Sequence, residues 1–268
     1  MQWGAVTAEG FLARGWARFG HDPVLADWIA AARPAALAAM ADPAHADQWR
    51  CDGTWFAGVN VLANDAEGRL GAAPPLAGAA MTFLAEVLGP PLPLDAGQLS
   101  VTRPGYPRPG AEETAAAARF RRDRDAAHVD GILPVGPDRR RMLRAPHAWI
   151  LGVPLTDCDP GAAPLVVWEG SHHLMRRALA AALAGHPPAD WAHIDLTEAY
   201  AAARREVFAT CPRIPLPARP GEAQVLHRLS LHGVAPWAPG ATAAPEGRAV
   251  AYFRPELPGG PADWLVCP

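Results

Sequence analysis

Short apolar runs bounded by proline and glycine fill the second half of the chain: Gln98 to Thr102, Ala148 to Pro154, Leu165 to Trp168, Ala223 to His227, Leu229 to Val234 and Arg248 to Arg254. Runs of this length, rich in β-branched residues and punctuated in this way, read as strands of a β core. The first third has a different period. Thr7 to Phe19 and Leu76 to Leu88 carry apolar residues at helical spacing, the second stopped by Gly89-Pro90-Pro91. Asp22-Pro23 makes an N-cap and first turn for a helix running to about Arg33. Pro34 to Asp47 is Ala-rich and helical in character, and Leu174 to Leu183 and Thr197 to Phe208 interrupt the strands as surface helices. The pattern predicts an α+β chain, mainly β. It forms one domain over 1–268, with a mostly helical part (1–95) packed on a β core (96–256).

Composition narrows the function. With 268 residues, 50% of them hydrophobic, the chain can bury one substantial core. It contains no lysine, so all 24 basic residues are arginine. Schiff-base catalysis and Gly-Lys-Ser/Thr phosphate loops are therefore excluded. The scarcity of lysine beside abundant Ala, Arg and Pro fits GC-rich bacterial coding. A net charge of −3 gives no basic excess for nucleic acid. No apolar run reaches membrane-span length, and the first thirty residues carry Asp, Glu and Arg rather than a secretion signal. Cys51, Cys158, Cys211 and Cys267 are widely spaced, which favours reduced thiols in a cytoplasm over a disulfide scaffold.

Candidate chemistry lies in His128-Val129-Asp130-Gly131, in Gly221 to Gly233, and in Arg248. Two imidazoles and one carboxylate are the ligands of a non-haem iron(II) centre that keeps three positions open. An arginine on a late strand suits the far carboxylate of a keto-diacid, because its planar fork makes paired hydrogen bonds. His-x-Asp alone is weak: this composition yields about 0.6 such pairs by chance, and the chain has His45/Asp47, His128/Asp130 and His193/Asp195. In the first, i and i+2 on a helix face different directions. In the third, Asp195 reads as the N-cap of the helix that follows. Only His128/Asp130 leaves room for several strands before a second strand-borne His. Residues 227 and 232 face opposite sides of a strand, so one of His227 and His232 can be a ligand; His232, followed by Gly233, is the choice. His227 is then expected inside the barrel, His172 and His173 are structural, and His147 belongs to the core.

Three segments resemble one known family. Ala163-Pro164-Leu165-Val166-Val167-Trp168-Glu169-Gly170-Ser171-His172 is similar to the G-x-L-x-V-x-P-G-S-H segment of the phytanoyl-CoA dioxygenase-like family. Ala148-Trp149-Ile150-Leu151-Gly152-Val153-Pro154-Leu155 resembles the strand before it, and Ser100-Val101-Thr102-Arg103-Pro104-Gly105 resembles the strand and K-P-P-G turn that precede the family's His-x-Asp. The resemblance spans Gly97 to Pro255. It implies a double-stranded β-helix (jelly-roll, cupin-like) core with N-terminal and peripheral helices. It also implies Fe(II), 2-oxoglutarate as co-substrate, and O₂. Carried across, His128, Asp130 and His232 become the iron ligands. Arg248 becomes the 2-oxoglutarate clamp, with Thr102 and Trp149 beside the co-substrate.

The implied activity is hydroxylation of a small molecule with release of succinate and CO₂. Related halogenases have a small residue where Asp130 stands. Trp149, Trp168 and Trp237 are expected to border the pocket, with Trp237 against the substrate. The chain departs from the family pattern in three places: an Arg-rich insertion from Pro107 to Asp125, a long loop from Pro236 to Gly247, and Val234 in place of a hydroxyl residue. Arg119, Arg121, Arg122 and Arg124 in the insertion suggest a lid for an anionic substrate, with Arg119 and Arg122 as contacts; a solvated helix is the alternative. Two other functions stay open: a non-enzymatic small-ligand or metal-binding protein on the same scaffold, and a 2-oxoglutarate oxygenase acting on a macromolecule.

Overall fold

The computed structural model describes residues 6–267. In chain order the elements are α1 (Ala8–Arg14), β1 (Trp16–Phe19), α2 (Pro23–Ala41), β2 (Trp49–Arg50), β3 (Trp55–Phe56), α3 (Ala79–Leu88) and β4 (Gln98–Thr102). Then come α4 (Ala115–Asp123), the hairpin β5 (Ile132–Val135) and β6 (Arg140–Leu143), β7 (Trp149–Pro154), β8 (Leu165–Trp168), α5 (Ser171–Leu183) and α6 (Thr197–Thr210). The last are β9 (Arg213–Leu216), β10 (Ala223–His227), β11 (His232–Val234), β12 (Arg248–Phe253) and α7 (Pro261–Val266). Strand pairing is antiparallel throughout the described residues, in a seven-stranded sheet of order β1-β10-β7-β12-β4-β3-β2 and a three-stranded sheet of order β11-β8-β9.

Side-chain alternation sorts each strand into two faces. Trp16, Ile150, Leu226, Val250 and Tyr252 of the larger sheet pack against Leu165, Val167 and Leu216 of the smaller one, so the two sheets face each other across a shared core. The opposite face of the larger sheet carries Leu151, Val153, Val225, Ala249, Ala251 and Phe253, covered by Phe11, Leu25, Trp28, Ile29, Phe83 and Leu84 from α1, α2 and α3. The opposite face of the smaller sheet presents Val166 and Trp168 to Met175, Leu179, Tyr200 and Val207 of α5 and α6.

Three expectations need correction here. The helix expected from Thr7 to Phe19 ends at Arg14, because Gly15 takes a left-handed conformation (φ 80°) and its amide closes the last turn onto Phe11 O. The chain then leaves as β1, pairing Trp16 with Leu226 and Phe19 with Ala223, and strand pairing overrides the local helical spacing. The helix begun at Asp22, whose side chain caps Val24 N, runs through Pro34 to Ala41 rather than stopping at Arg33. Burial of Ala32 and Ala36 on the core outweighs the amide that Pro34 removes. Contrary to the expectation that no apolar run reaches membrane-span length, this helix is long and apolar enough to cross a membrane by composition, yet it lays Leu25, Trp28, Ile29, Ala32 and Ala36 onto the sheet. The strands β2, β3, β5, β6 and β9 and the helix α7 carried no readable pattern, being short or mixed in polarity. All four cysteines are unpaired.

Trp28 anchors the helical layer: it is fully buried, meets Phe253 edge-on at 5.9 Å, and donates from Nε1 to Gly68 O at 3.0 Å. Trp28→Ala should cost about 3–5 kcal/mol of unfolding free energy, measured by denaturant titration. A loss below about 1 kcal/mol would show that α2 is not part of the cooperative core.

Candidate metal centre

His128 and His232 face each other as a backbone pair. His128 N donates to His232 O at 2.8 Å and His232 N donates to His128 O at 3.0 Å, an isolated antiparallel bridge outside the named strands. Such a pair places both side chains on the same side, and the rings lie 4.6 Å apart. The surroundings hold this bridge. Asp125 O accepts from Val234 N, and the Asp125 carboxylate receives both Nε and Nη2 of Arg213 at 2.7 and 2.8 Å. Val129 N donates to Tyr200 Oη of α6 at 2.9 Å. Leu231 N donates to Ser171 Oγ at 2.9 Å, so the Gly-Ser-His segment fixes the residue just before His232. Gly131 turns the chain after Asp130 with φ 83°, and a Cβ there would sit 2.0 Å from Ala145 O. Only glycine fits that turn.

The side chains complete a ligand set. Asp130 Oδ1 lies 3.2 Å from His128 Nε2 and 3.8 Å from His232 Nε2, and the three candidate ligand atoms fall within 4.8 Å of one another. His128 Nδ1 is 3.0 Å from Ala126 O and His232 Nδ1 is 2.9 Å from Ser230 O. These carbonyls can only accept, so each Nδ1 donates its hydrogen there and each Nε2 is the nitrogen turned toward Asp130. Burial lowers the His232 pKa to about 4, which leaves that ring neutral at neutral pH. Burial alone would raise the Asp130 carboxyl, but Arg254, the His128 hydrogen bond and the two imidazoles hold it well below the usual range. Burial would lower the His128 pKa, but the hydrogen bond and charge of Asp130 raise it, so a metal arriving there displaces a proton. A carboxylate and two imidazole nitrogens converging on one point form a cation site. Arg254 Nη1 lies 3.3 Å from Asp130 Oδ2, steering the other oxygen toward the imidazoles.

The inward face of β12 carries Arg248, Val250 and Tyr252, and the next residue in phase is Arg254. Arg254 reaches Asp130, whereas Arg248 lies opposite Thr102 of β4 at the other end of the strand. At about 3.3 Å per residue the two Cα atoms are about 20 Å apart. Arg248 is 4% exposed and its Nη1 is buried without a hydrogen-bond partner, as is Thr102 Oγ1. A buried unpaired guanidinium nitrogen beside an unpaired hydroxyl is costly unless an anion completes it. Thr102 also offers the hydroxyl that Val234 lacks. A cleft of about 570 Å³ opens on the other side of Asp130, lined in part by His147, Tyr252, Arg254 and Glu256.

Several residues stand elsewhere than expected. Trp149 lies on the helix-covered face of β7 with Leu151 and Val153, because odd-numbered residues of that strand point away from the inter-sheet core. Trp168 likewise faces α6, with Phe208 at 5.2 Å. Trp237 packs with Trp55, Tyr106 and Val234 and donates to Ala241 O, apart from the cleft at Asp130. His227 is buried on the outer face of β10, 4.7 Å from the His172 ring and 3.0 Å from Arg176 Nη2, rather than inside the barrel. Of the insertion arginines, Arg119 is exposed on α4, Arg121 pairs with Glu113, Arg122 pairs with Asp123, and Arg124 stacks on Phe208. His147, expected in the core, lines the cleft. The contact of Arg254 with Asp130 crosses 124 positions, and no local pattern announces it.

No protein-family model and no curated protein matches the chain. Solved structures do. AviO1 from Streptomyces viridochromogenes Tue57 is 17% identical with a TM-score of 0.52, over 94% of both chains. SnoK, a non-heme alpha ketoglutarate dependent carbocyclase from nogalamycin biosynthesis, is 14% identical with a TM-score of 0.52, over 94% of this chain and 87% of SnoK. The epimerase SnoN in complex with Fe3+, alpha ketoglutarate and nogalamycin RO is 15% identical with a TM-score of 0.51, over 96% of this chain and 87% of SnoN. The chain shares their fold.

If the triad is the metal site, His232→Ala should abolish tight binding of a divalent metal, while His45→Ala and His193→Ala leave it intact. Trp149→Phe should lower stability without changing metal affinity. Calorimetric titration with Mn(II) separates these outcomes, and equal losses from His193→Ala and His232→Ala would refute the assignment.

Proposed function

We propose that the chain is an Fe(II)- and 2-oxoglutarate-dependent oxygenase of the phytanoyl-CoA dioxygenase-like kind, with a double-stranded β-helix core. It oxidises a small molecule with O₂ and releases succinate and CO₂. One observation carries the reading: Asp130 Oδ1 faces the Nε2 atoms of both His128 and His232 while each Nδ1 is tied to a backbone carbonyl. SnoN, similar in fold, has been crystallised with Fe3+ and alpha ketoglutarate, which fits the same donor set.

The residues divide the work. His128, Asp130 and His232 would hold the iron on one face, leaving the other positions for 2-oxoglutarate and O₂. Arg248 and Thr102, whose buried polar atoms have no protein partner, would take the distal carboxylate of 2-oxoglutarate. Arg254 would keep Asp130 bound through a single oxygen. When bound, the iron and 2-oxoglutarate together supply the oxidising chemistry. The intact Asp130 favours hydroxylation, since no ligand position is vacated for a halide. The surrounding helices and the inter-sheet core keep water from the co-substrate. Four free cysteines suit a reducing compartment such as the cytoplasm.

Anaerobic titration with Fe(II) and 2-oxoglutarate tests the reading. Arg248→Ala should weaken 2-oxoglutarate binding by at least about 2 kcal/mol, or about 30-fold, and Arg248→Lys should recover only part of it. Arg254→Ala should act first on metal affinity. Unchanged 2-oxoglutarate affinity in Arg248→Ala, with loss confined to Arg254→Ala, would move the clamp to Arg254. Failure of the wild-type protein to bind 2-oxoglutarate with metal present would end the proposal.

A further inference from the structure

The cleft beside the triad has a definite charge and a definite hydrogen-bonding character. Among its lining residues, Asp95, Asp130 and Glu256 bring three carboxylates against the single guanidinium of Arg254. Arg254 is already paired with Asp130. Asp95 and Glu256 are exposed, and neither makes an ion pair among the described residues. Iron(II) and a 2-oxoglutarate dianion cancel in net charge, and Arg248 on the distal carboxylate offsets one more, so the loaded site would stay negative by one.

Hydrogen-bonding groups also wait unpaired. Tyr252 is 8% exposed, lines the cleft, and its hydroxyl has no partner. His147 Nδ1 is likewise buried and unpaired on the same wall. Val59 and Leu133, 50% and 47% exposed, add two apolar side chains to the lining. The α4 arginines do not reach this space: none lines the cleft, and Arg121 and Arg122 are paired with Glu113 and Asp123.

We propose that this cleft takes the prime substrate, and that the substrate is an uncharged or amine-bearing polyhydroxylated small molecule rather than a carboxylate or phosphate. The proposal rests on the iron and 2-oxoglutarate assignment above. Asp95 and Glu256 set the charge preference. Tyr252 and His147 offer buried hydrogen-bonding groups for hydroxyls, and Val59 and Leu133 cover apolar faces between them. A carboxylated or phosphorylated molecule would enter against an unneutralised negative field.

Three probes of one size but different charge test this: D-glucosamine, methyl α-D-glucoside and D-glucuronate. Each is mixed at low salt and without O₂ with protein carrying Mn(II) and 2-oxoglutarate, and paramagnetic broadening of its proton resonances is measured. 2-Oxoglutarate's own broadening serves as the reference in every sample. D-Glucosamine and methyl α-D-glucoside should be broadened, D-glucosamine about tenfold more than D-glucuronate, from two partly screened carboxylates each contributing about threefold. The exposed pair of changes Asp95→Asn and Glu256→Gln should reduce that ratio to below about threefold. Tyr252→Phe should lower broadening of the uncharged probe. D-Glucuronate broadened as much as D-glucosamine, a ratio that survives the double change, or no probe affected while 2-oxoglutarate is broadened, would each overturn the proposal. Absent broadening of 2-oxoglutarate itself would instead overturn the assignment beneath it, and this proposal with it.

Discussion

The reciprocal backbone hydrogen bonds between His128 and His232 are the constraint on which the rest depends. They join a loop that follows a long insertion to a three-residue strand of the smaller sheet, and they set both imidazoles on one side. Neither segment is long enough to be stable alone. Each is therefore tied to something larger. Arg213 from β9 clamps Asp125, Tyr200 from α6 receives Val129 N, and Ser171 at the start of α5 receives Leu231 N. The helices α5 and α6 cover the outer face of the smaller sheet, so its core packing is also what keeps the metal ligands in register. Loosening that layer should therefore be felt at the triad without any change to a ligand.

The second organising element is β12. Its alternation sends Ala249, Ala251 and Phe253 into the helix-covered core, and Arg248, Val250 and Tyr252 toward the smaller sheet. Two arginines at the ends of one inward face meet different environments. Arg254 finds Asp130 and becomes part of the metal centre, while Arg248 lies opposite Thr102, close enough to Cys158 to act on its thiol, and keeps an unpaired nitrogen. A strand that carries a cation at each end, with apolar and aromatic side chains between, can serve a metal and a dicarboxylate at once. Family resemblance supplied the expectation for Arg248; the unpaired Nη1 supplies a physical reason.

Much of this was legible in the sequence because the informative signals are local. Proline and glycine mark the ends of β4, β7, β8, β10 and β12, and Asp22-Pro23 marks the start of α2. His128 and Asp130 were separable from the other two His-x-Asp pairs by the helical context of those pairs. Most of the errors were of direction or distance. Trp149 and Trp168 sit in the right strands on the wrong faces, because a fully buried strand gives no polar alternation to tell its two sides apart. The Arg-rich insertion reads as a lid in one dimension, yet Glu113, Asp123 and Phe208 engage its cations in three. Trp16 to Phe19 looked helical because its partner strand lies more than two hundred residues away.

The account turns on whether 2-oxoglutarate, bound to the metal at the triad, also reaches Arg248 and Thr102 with its distal carboxylate. A crystal structure of the protein with Mn(II) and 2-oxoglutarate, with anomalous data collected at the manganese edge, measures this directly. The account predicts a single strong anomalous peak bounded by His128 Nε2, His232 Nε2 and one oxygen of Asp130. It also predicts that the distal carboxylate of 2-oxoglutarate lies against Arg248 and Thr102. A peak at any other cluster, or 2-oxoglutarate held by Arg254 with Arg248 still unpaired, would contradict it.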